Sequence, residues 1–335
     1  METQAKIQRM FQELNMEIVM LNEVKGDFAS NIYRGIAKNN QGKERSFIYK
    51  QFQKGREQEI EVYQKLSNLL KDWMPHVYGI STEEPSGILV KDLGISVKKK
   101  LLQRPLNDQM DCFRKILDTL ADLHTTFHQE GQKLIEKKAL TLYPYSSEWA
   151  YWSIQQLERL LQFRSSSPFL NDLQARLPAI KEMVHQFYDS FANQIRLPLT
   201  VTHGDPHLDN IFIQKDQVLF IDWEWIHLAS PVRDLTILFQ DIYDHQVQSE
   251  LSDYYYKKLA KLGYPLNLED YENDQRLCLL DNTIMMIGWD VELYFMEKRS
   301  MQELEEILQF KFSTMNQFHN SLHKPHRDYM KLRKT

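Results

Sequence analysis

The sequence predicts an α+β protein in two parts, and three observations support this prediction. Within the first 92 residues, short runs of β-branched and aromatic residues stand between turn residues, which is typical of strands. After residue 92, apolar residues recur at three- and four-residue spacing over long segments, which indicates amphipathic helices. A chain of 335 residues also exceeds the usual size of one hydrophobic core. We therefore expect a small antiparallel sheet in residues 1–92 and a mainly helical part in residues 93–335.

The composition is that of a folded globular protein. Hydrophobic residues make up 42% of the chain and aromatic residues 12%, enough to fill an interior. The formal net charge is −5 with no basic stripe, so we expect no nucleic-acid partner. The amino terminus lacks the apolar core of a signal peptide, and no segment reaches membrane-spanning length. With two widely separated cysteines, Cys112 and Cys278, these features predict a cytoplasmic protein that does not contact membranes; oligomeric state is left open.

The elements expected in the two parts follow from periodicity and turn residues. In the first part we predict helices at 3–14 and 57–70 and strands at 16–24, 31–37, 46–52 and 88–90. In the second part we predict helices at 108–128, 143–163, 169–195 and 275–296, and a further helix that begins near residue 233.

The segment 199–239 is the strongest candidate for an active site. Gly204 and Pro206 interrupt a strand pattern and force a loop, and a predicted hairpin follows. The hairpin can bring Asp205, Asn210 and Asp222 to one place. Two carboxylates and an amide form a hard oxygen site that suits Mg²⁺.

The sequence motifs of this segment resemble those of a known family. HGDPHLDN at residues 203–210, followed by IDWE at residues 221–224, is similar to the motifs of the aminoglycoside phosphotransferase and choline kinase superfamily, which are protein-kinase-like small-molecule kinases. Protein kinases have an Arg before the loop Asp and Phe-Gly after the second Asp, where this chain has Gly204 and Trp223-Glu224. The resemblance implies a two-lobed protein-kinase-like fold, with residues 1–92 as the nucleotide-binding lobe and residues 93–335 as the catalytic and substrate-binding lobe.

The resemblance also implies roles for individual residues. Asp205 would orient the acceptor hydroxyl and accept its proton, while Asn210 and Asp222 would hold Mg²⁺. Lys50 would pair with the α- and β-phosphates of ATP, and a Glu on the next helix would position this lysine. We choose Glu59, because it lies on the same helical stripe as the apolar residues of that helix. Its neighbours Glu57 and Glu61 remain alternatives.

Two further nucleotide contacts are expected from the resemblance. The turn between the first two strands, with Gly26 and Ser30, would cover the phosphates. The segment from Val90 to Leu93 would be the hinge whose backbone binds the adenine edge. The first segment could instead be an ordinary hairpin turn, and the second an ordinary strand-to-helix connection.

The expected function is ATP- and Mg²⁺-dependent phosphorylation of a hydroxyl on a small molecule that is aminoglycoside-, choline- or amino-alcohol-like. The helix at 275–296 carries Asp281, Trp289 and Asp290, and acids beside aromatic rings are one way to hold an organic cation, so the substrate could be cationic. A normally charged helix exterior explains the same residues.

Three other functions agree with parts of the sequence. The alternation of His203, Asp205, His207 and Asp209 would suit a metallohydrolase if it lay on a strand, but the glycine and proline between them argue against a strand. Protein phosphorylation is disfavoured by the departures from the protein-kinase motifs. A catalytically silent structural or binding protein, such as a spore coat component, would be expected to have lost at least one catalytic residue type.

Overall fold

A computed structural model describes residues 2–24, 30–101, 104–163 and 167–322. The amino-terminal part is a five-stranded sheet in the order β1-β2-β3-β5-β4, and its neighbouring strands are antiparallel. Two helices accompany it. The elements are α1 (Glu2–Glu13), β1 (Met16–Val24), β2 (Ser30–Asn39), β3 (Glu44–Phe52), α2 (Gln58–Leu66), β4 (Val77–Ser81) and β5 (Gly87–Lys91).

The apolar face of α1 packs on this sheet. Ile7 and Phe11 are buried against Phe47, Tyr49 and other residues of the strands, which explains the apolar spacing of the first helix. In the β2–β3–β5 register, Lys50 lies opposite Ile32 on one side and Ile88 on the other. A lysine thus occupies the middle of the sheet rather than its edge, and its side chain must find partners.

The rest of the chain is mainly helical, with short strands around the predicted catalytic segment. Two of these strands, β7 and β8, form an antiparallel hairpin, and β6 pairs with β9. The elements are α3 (Val97–Leu101), α4 (Leu106–Phe127), α5 (Gly131–Glu136), α6 (Glu148–Phe163), α7 (Pro168–Tyr188), β6 (Thr200–Thr202), β7 (Ile211–Gln214), β8 (Gln217–Phe220), β9 (His227–Ala229), α8 (Val232–Leu238), α9 (His245–Lys261), α10 (Leu268–Phe295) and α11 (Met301–Leu322).

The α+β class and the antiparallel sheet are therefore confirmed, and β1 has the predicted bounds. Several details were wrong. Helix α6 begins at Glu148 rather than at residue 143, and helix α7 ends at Tyr188 rather than at residue 195. Helix α2 ends at Leu66 rather than at residue 70, because Ser67 and Asn68 favour caps and turns over helix interior. Strand β4 was missed, since Gly79 interrupts its pattern and its partner β5 is what orders it. Helix α10 begins at Leu268, seven residues before the predicted start, where the Asn267 side chain accepts the N–H of Asp270 and caps it.

The contacts divide the chain into two compact units. The first comprises Met1–Leu123, Gln132–Thr141 and His203–His227; the second comprises His124–Gly131, Leu142–Thr202 and Leu228–Thr335. Those predicted catalytic, metal and nucleotide residues that the structure describes all belong to the first unit, whereas Asp281, Trp289 and Asp290 of α10 belong to the second. The second unit has a core of residues from α6, α7, α10 and α11. The lobe boundary expected at residue 92 stays a prediction. None of the helices within the described ranges is both long and apolar enough to cross a membrane.

Candidate active site

The loop that contains Asp205 is held in shape by the two residues before it. Gly204 has φ +90°, and a Cβ at this position would lie 1.8 Å from the carbonyl oxygen of Trp225, so glycine is required. The buried His203 accepts the N–H of Asp205 at Nδ1, at 3.2 Å, and its Nε2 lies 3.0 Å from the carbonyl oxygen of Ile221. The histidine therefore ties the start of the loop to the end of β8.

Asn210 closes the same loop. Its Nδ2 lies 3.1 Å from the carbonyl oxygen of Asp205 and 3.3 Å from the carboxylate Oδ2 of that residue. Across the β7–β8 hairpin, the N–H of Ile221 donates to the carbonyl oxygen of Asn210 at 3.0 Å. The hairpin thus sets Asp222 immediately after the residue that is bonded to Asn210, as the spacing of the three residues predicted.

Asp222 has an unusual backbone. Its φ and ψ are 67° and 61°, the left-handed region, and it precedes a 3₁₀ turn at Trp223–Trp225. Residues in sparsely populated conformations of this kind cost roughly 1 kcal/mol or more and cluster at functional sites. Trp223 is fully buried and donates its Nε1–H to the carbonyl oxygen of Phe220 at 2.9 Å, which fixes the turn. The turn directs the Asp222 carboxylate to Lys50.

Lys50 bridges two carboxylates. Its Nζ lies 2.6 Å from Oε2 of Glu59 and 2.9 Å from Oδ1 of Asp222. Glu59 is 1% exposed, and its Oε1 accepts the N–H of Trp223 at 3.4 Å. One buried glutamate therefore contacts both the sheet lysine and the backbone beside Asp222.

The electrostatics follow from one cation between two anions. Burial disfavours the charged ammonium, but Glu59 and Asp222 outweigh this and hold the pKa of Lys50 above its ordinary value. Burial also opposes ionisation of Asp222, yet Lys50 lowers the pKa of Asp222. Glu59 is the most deeply buried of the three, and burial raises its pKa to about 7. When both carboxylates are ionised, they carry one more negative charge than Lys50 balances.

The other residues predicted to contact the nucleotide lie in or next to strands of the sheet, except for one outside the described residues. Ser30 is the buried first residue of β2, opposite Phe52. Val90 lies within β5, and Leu93 is buried just after that strand. Gly26 lies outside the described residues.

The donor set fits a magnesium ion. The Asn210 amide and the Asp222 carboxylate would supply hard oxygen ligands, and the negative charge of an ionised Asp222 beside Glu59 would favour a divalent cation. No group of three or more His, Cys, Asp and Glu side chains within the described ranges is arranged to hold a metal by itself. Mg²⁺ usually binds one or two carboxylates together with water and substrate phosphates, so a complete protein cage is not required.

The acids on α10 have partners inside the second unit. Asp281 is buried and accepts the hydroxyl of Tyr188. Asp290 is also buried; Arg299 donates to its Oδ1, and Nζ of Lys311 lies 2.7 Å from its Oδ2. Neither carboxylate therefore supports the cation site that their sequence pattern suggested.

Two residues of the site had no assigned role in the sequence reasoning. Burial raises the pKa of Glu224, and the nearby charge of Asp222 raises it further. In the sequence, the two acids of IDWE, which are separated by one residue, indicate that Glu224 lies near Asp222. His207 was considered as a member of the alternating His and Asp run, yet its Nε2 lies 3.5 Å from Oδ2 of Asp205. Its position two residues after Asp205 gave no indication of this contact.

The sheet lysine, its buried glutamate and the loop with Asp205 and Asn210 define a kinase-like phosphotransferase. The model of the phosphotransferase enzyme family matches residues 29–266, more than half of the chain, and the chain belongs to this family. A search of curated proteins gave no match.

Solved structures agree with the fold. The choline kinase LicA from Streptococcus pneumoniae superposes with a TM-score of 0.59 at 16% identity, covering 95% of this chain and 100% of that one. A spectinomycin phosphotransferase in complex with ADP and spectinomycin gives 0.58 at 15% identity, covering 90% and 98%. An ethanolamine kinase from Plasmodium vivax gives 0.56 at 14% identity, covering 90% and 82%. The predicted kinase-like fold is thus confirmed.

Proposed function

We propose that this protein transfers the γ-phosphoryl group of ATP to a hydroxyl of a small molecule. The observation that carries the proposal is the contact of Lys50 with both Glu59 and Asp222, at 2.6 and 2.9 Å, in one unit with the Asp205–Asn210 loop. A lysine held by a buried glutamate and an acid after the catalytic loop are the parts that phosphoryl transfer requires.

In this proposal the residues divide the work between binding and proton transfer. Lys50 binds phosphate oxygens, and Glu59 keeps its ammonium in place. Asp205 orients the acceptor hydroxyl and takes its proton as the new O–P bond forms and the bond to the leaving ADP oxygen breaks. Because the transition state is loose, positioning and charge neutralisation supply most of the rate.

Asn210 and Asp222 would hold Mg²⁺, which neutralises phosphate charge when it is bound. Ser30, Gly26 and the backbone from Val90 to Leu93 are proposed to contact the nucleotide. The proposal keeps the cytoplasmic location predicted from the sequence.

The acceptor is proposed from the neighbours in fold. Choline, ethanolamine and spectinomycin appear in the names of proteins with this fold, and each carries a hydroxyl and an amine or ammonium group. A cationic alcohol is therefore the first class to test. The catalytically silent alternative is not favoured, because Lys50, Glu59, Asp205, Asn210 and Asp222 are all present.

The test is ADP release from Mg-ATP across a panel of choline, ethanolamine, homoserine, methylthioribose, spectinomycin and other aminoglycosides. Asp205→Asn should abolish acceptor-dependent release by at least about 10²-fold, since it removes the proton acceptor. Asp172→Asn, the same change on the exposed face of α7, is the matched control. Nucleotide binding without stimulated release across the panel would favour the silent binder, and absence of nucleotide binding would refute the phosphotransferase.

A further inference from the structure

His207 lies between the two ends of the catalytic loop, and its ring has a contact at each nitrogen. Nδ1 accepts the N–H of Asp209 at 3.3 Å. Nε2 lies 3.5 Å from Oδ2 of Asp205, and the side chain is only 27% exposed. The ring therefore spans from the backbone of the loop to the carboxylate at its centre.

The backbone contact decides the tautomer of the neutral ring. A backbone N–H can only donate, so Nδ1 must be the unprotonated nitrogen and Nε2 must carry the hydrogen. His203 shows the same arrangement four residues earlier: Nδ1 accepts the N–H of Asp205, and Nε2 lies against a carbonyl oxygen, which can only accept. In both histidines the residue two positions later fixes which nitrogen is the donor.

Nε2 of His207 and the amide of Asn210 both lie near the same carboxylate oxygen, Oδ2 of Asp205. Nδ2 of Asn210 lies 3.3 Å from Oδ2 of Asp205. Two donors on one oxygen resist rotation of the carboxylate plane, so they would fix how Asp205 presents itself to the acceptor hydroxyl. Donor distances of this length in a structure without substrate commonly shorten in the reactive complex.

We propose that His207 is a positioning residue for Asp205: as a neutral Nε2–H donor, it holds the carboxylate in the orientation that accepts the proton. The proposal rests on the proposed phosphotransferase function. Without this contact to Asp205, His207 would be only a residue that shapes the loop.

Two substitutions separate the two contacts of this ring. His207→Asn keeps an acceptor near the Nδ1 position for the N–H of Asp209 but loses the donor at Nε2. His207→Gln places an amide N–H near the Nε2 position but loses the Nδ1 acceptor. The same two changes at His185, which is 60% exposed on α7, are the matched controls.

With the acceptor found in the panel, we expect His207→Asn to lower kcat about 10- to 100-fold, with KM for ATP and acceptor within about threefold of wild type. His207→Gln should retain kcat within about fivefold. A role limited to loop shape predicts the reverse order of the two variants, and this reverse order, equal losses in both, or a loss confined to KM would overturn the proposal.

A second measurement does not depend on turnover. In protein labelled with ¹⁵N-histidine, the nitrogen shifts identify the tautomer of each neutral ring, and His207→Asn assigns the resonance. The Nε2–H tautomer, with an Nε2 shift that moves in Asp205→Asn, would support the proposal even if the panel gave no activity. The Nδ1–H tautomer would overturn it whether or not the protein is a kinase.

Discussion

Two of the lysines that are withdrawn from solvent, Lys50 and Lys311, have opposite environments. Lys50 in the first unit is 16% exposed and contacts two carboxylates, those of Glu59 and Asp222. Lys311 in the second unit is 2% exposed, and its Nζ contacts Asp290, which also accepts from Arg299. In the first cluster one cation contacts two carboxylates, whereas in the second two cations contact one carboxylate.

The pKa values of the two lysines are shifted in opposite directions because of this difference. Burial disfavours both ammonium groups, but the two carboxylates keep the pKa of Lys50 high, while burial dominates at Lys311 and lowers its pKa. Near Lys50 the surplus charge is negative, which suits a site for metal and phosphate chemistry. Near Lys311, two cations contact one carboxylate and Asp241 is a second nearby acid, so no negative surplus arises, which suits a structural link between α10 and α11. The burial of a lysine therefore does not by itself indicate its role; the number of carboxylates in contact with it does.

The largest expected effect on activity comes from removing the site lysine. Lys50→Met should lower kcat/KM by about 10²- to 10³-fold, equivalent to about 3–4 kcal/mol, because a preorganised donor to the phosphates is lost. Lys311→Met is the matched change at the other lysine and should leave kcat/KM within about threefold. ADP release with the acceptor from the panel measures both. Equal losses in the two variants would show that the contrast between the lysines is not functional.

The next effect concerns stability in the second unit. Asp290→Asn should lower the free energy of unfolding by about 3–5 kcal/mol, because Lys311 and Arg299 would lose the carboxylate that both contact. Urea unfolding followed by circular dichroism measures the change, with Asp172→Asn on the exposed face of α7 as control. A loss below about 1 kcal/mol would mean that the two cations find other partners or water.

The smallest effect is a pH dependence in the first unit. Burial raises the pKa of Glu59 from 4.5 to about 7, so the folded state binds this proton more tightly than the unfolded state does. The resulting contribution to stability is complete below about pH 4.5 and is lost as the pH rises to about 7. Relative to Glu59→Gln, the wild-type protein should therefore lose about 1–3 kcal/mol of unfolding free energy between pH 5 and pH 8.

Urea unfolding of the two proteins across this pH range measures the difference. The matched substitution Glu61→Gln, on the exposed side of α2, should leave the pH profile unchanged. A flat difference between wild type and Glu59→Gln would show that Lys50 alone keeps Glu59 ionised throughout.

The sequence by itself determined the class of fold and the local geometry of the loop. The residues HGDPHLDN and IDWE specify a glycine where a Cβ would meet a carbonyl oxygen, an acid and an amide at bonding distance, and a second acid at the end of a strand. These features depend on contacts close in sequence or across one hairpin, so spacing was sufficient to predict them. The same holds for β1 and for the apolar stripe of α1.

Only the tertiary structure decided which of the charged residues act together. Glu57 accepts the N–H of Gly55 and Glu61 pairs with Lys65, whereas Glu59 alone of the three is buried against Lys50. The apolar stripe favoured Glu59, but the distance to Lys50 had to come from the packed helix.

Nothing in the local sequence of Lys311 marked it as buried, because its partners belong to other parts of the chain. The contact of His207 with Asp205 depends in the same way on the folded path of its loop. Side-chain burial and the direction of a donor are set by packing across elements distant in sequence, and residue spacing does not carry that information.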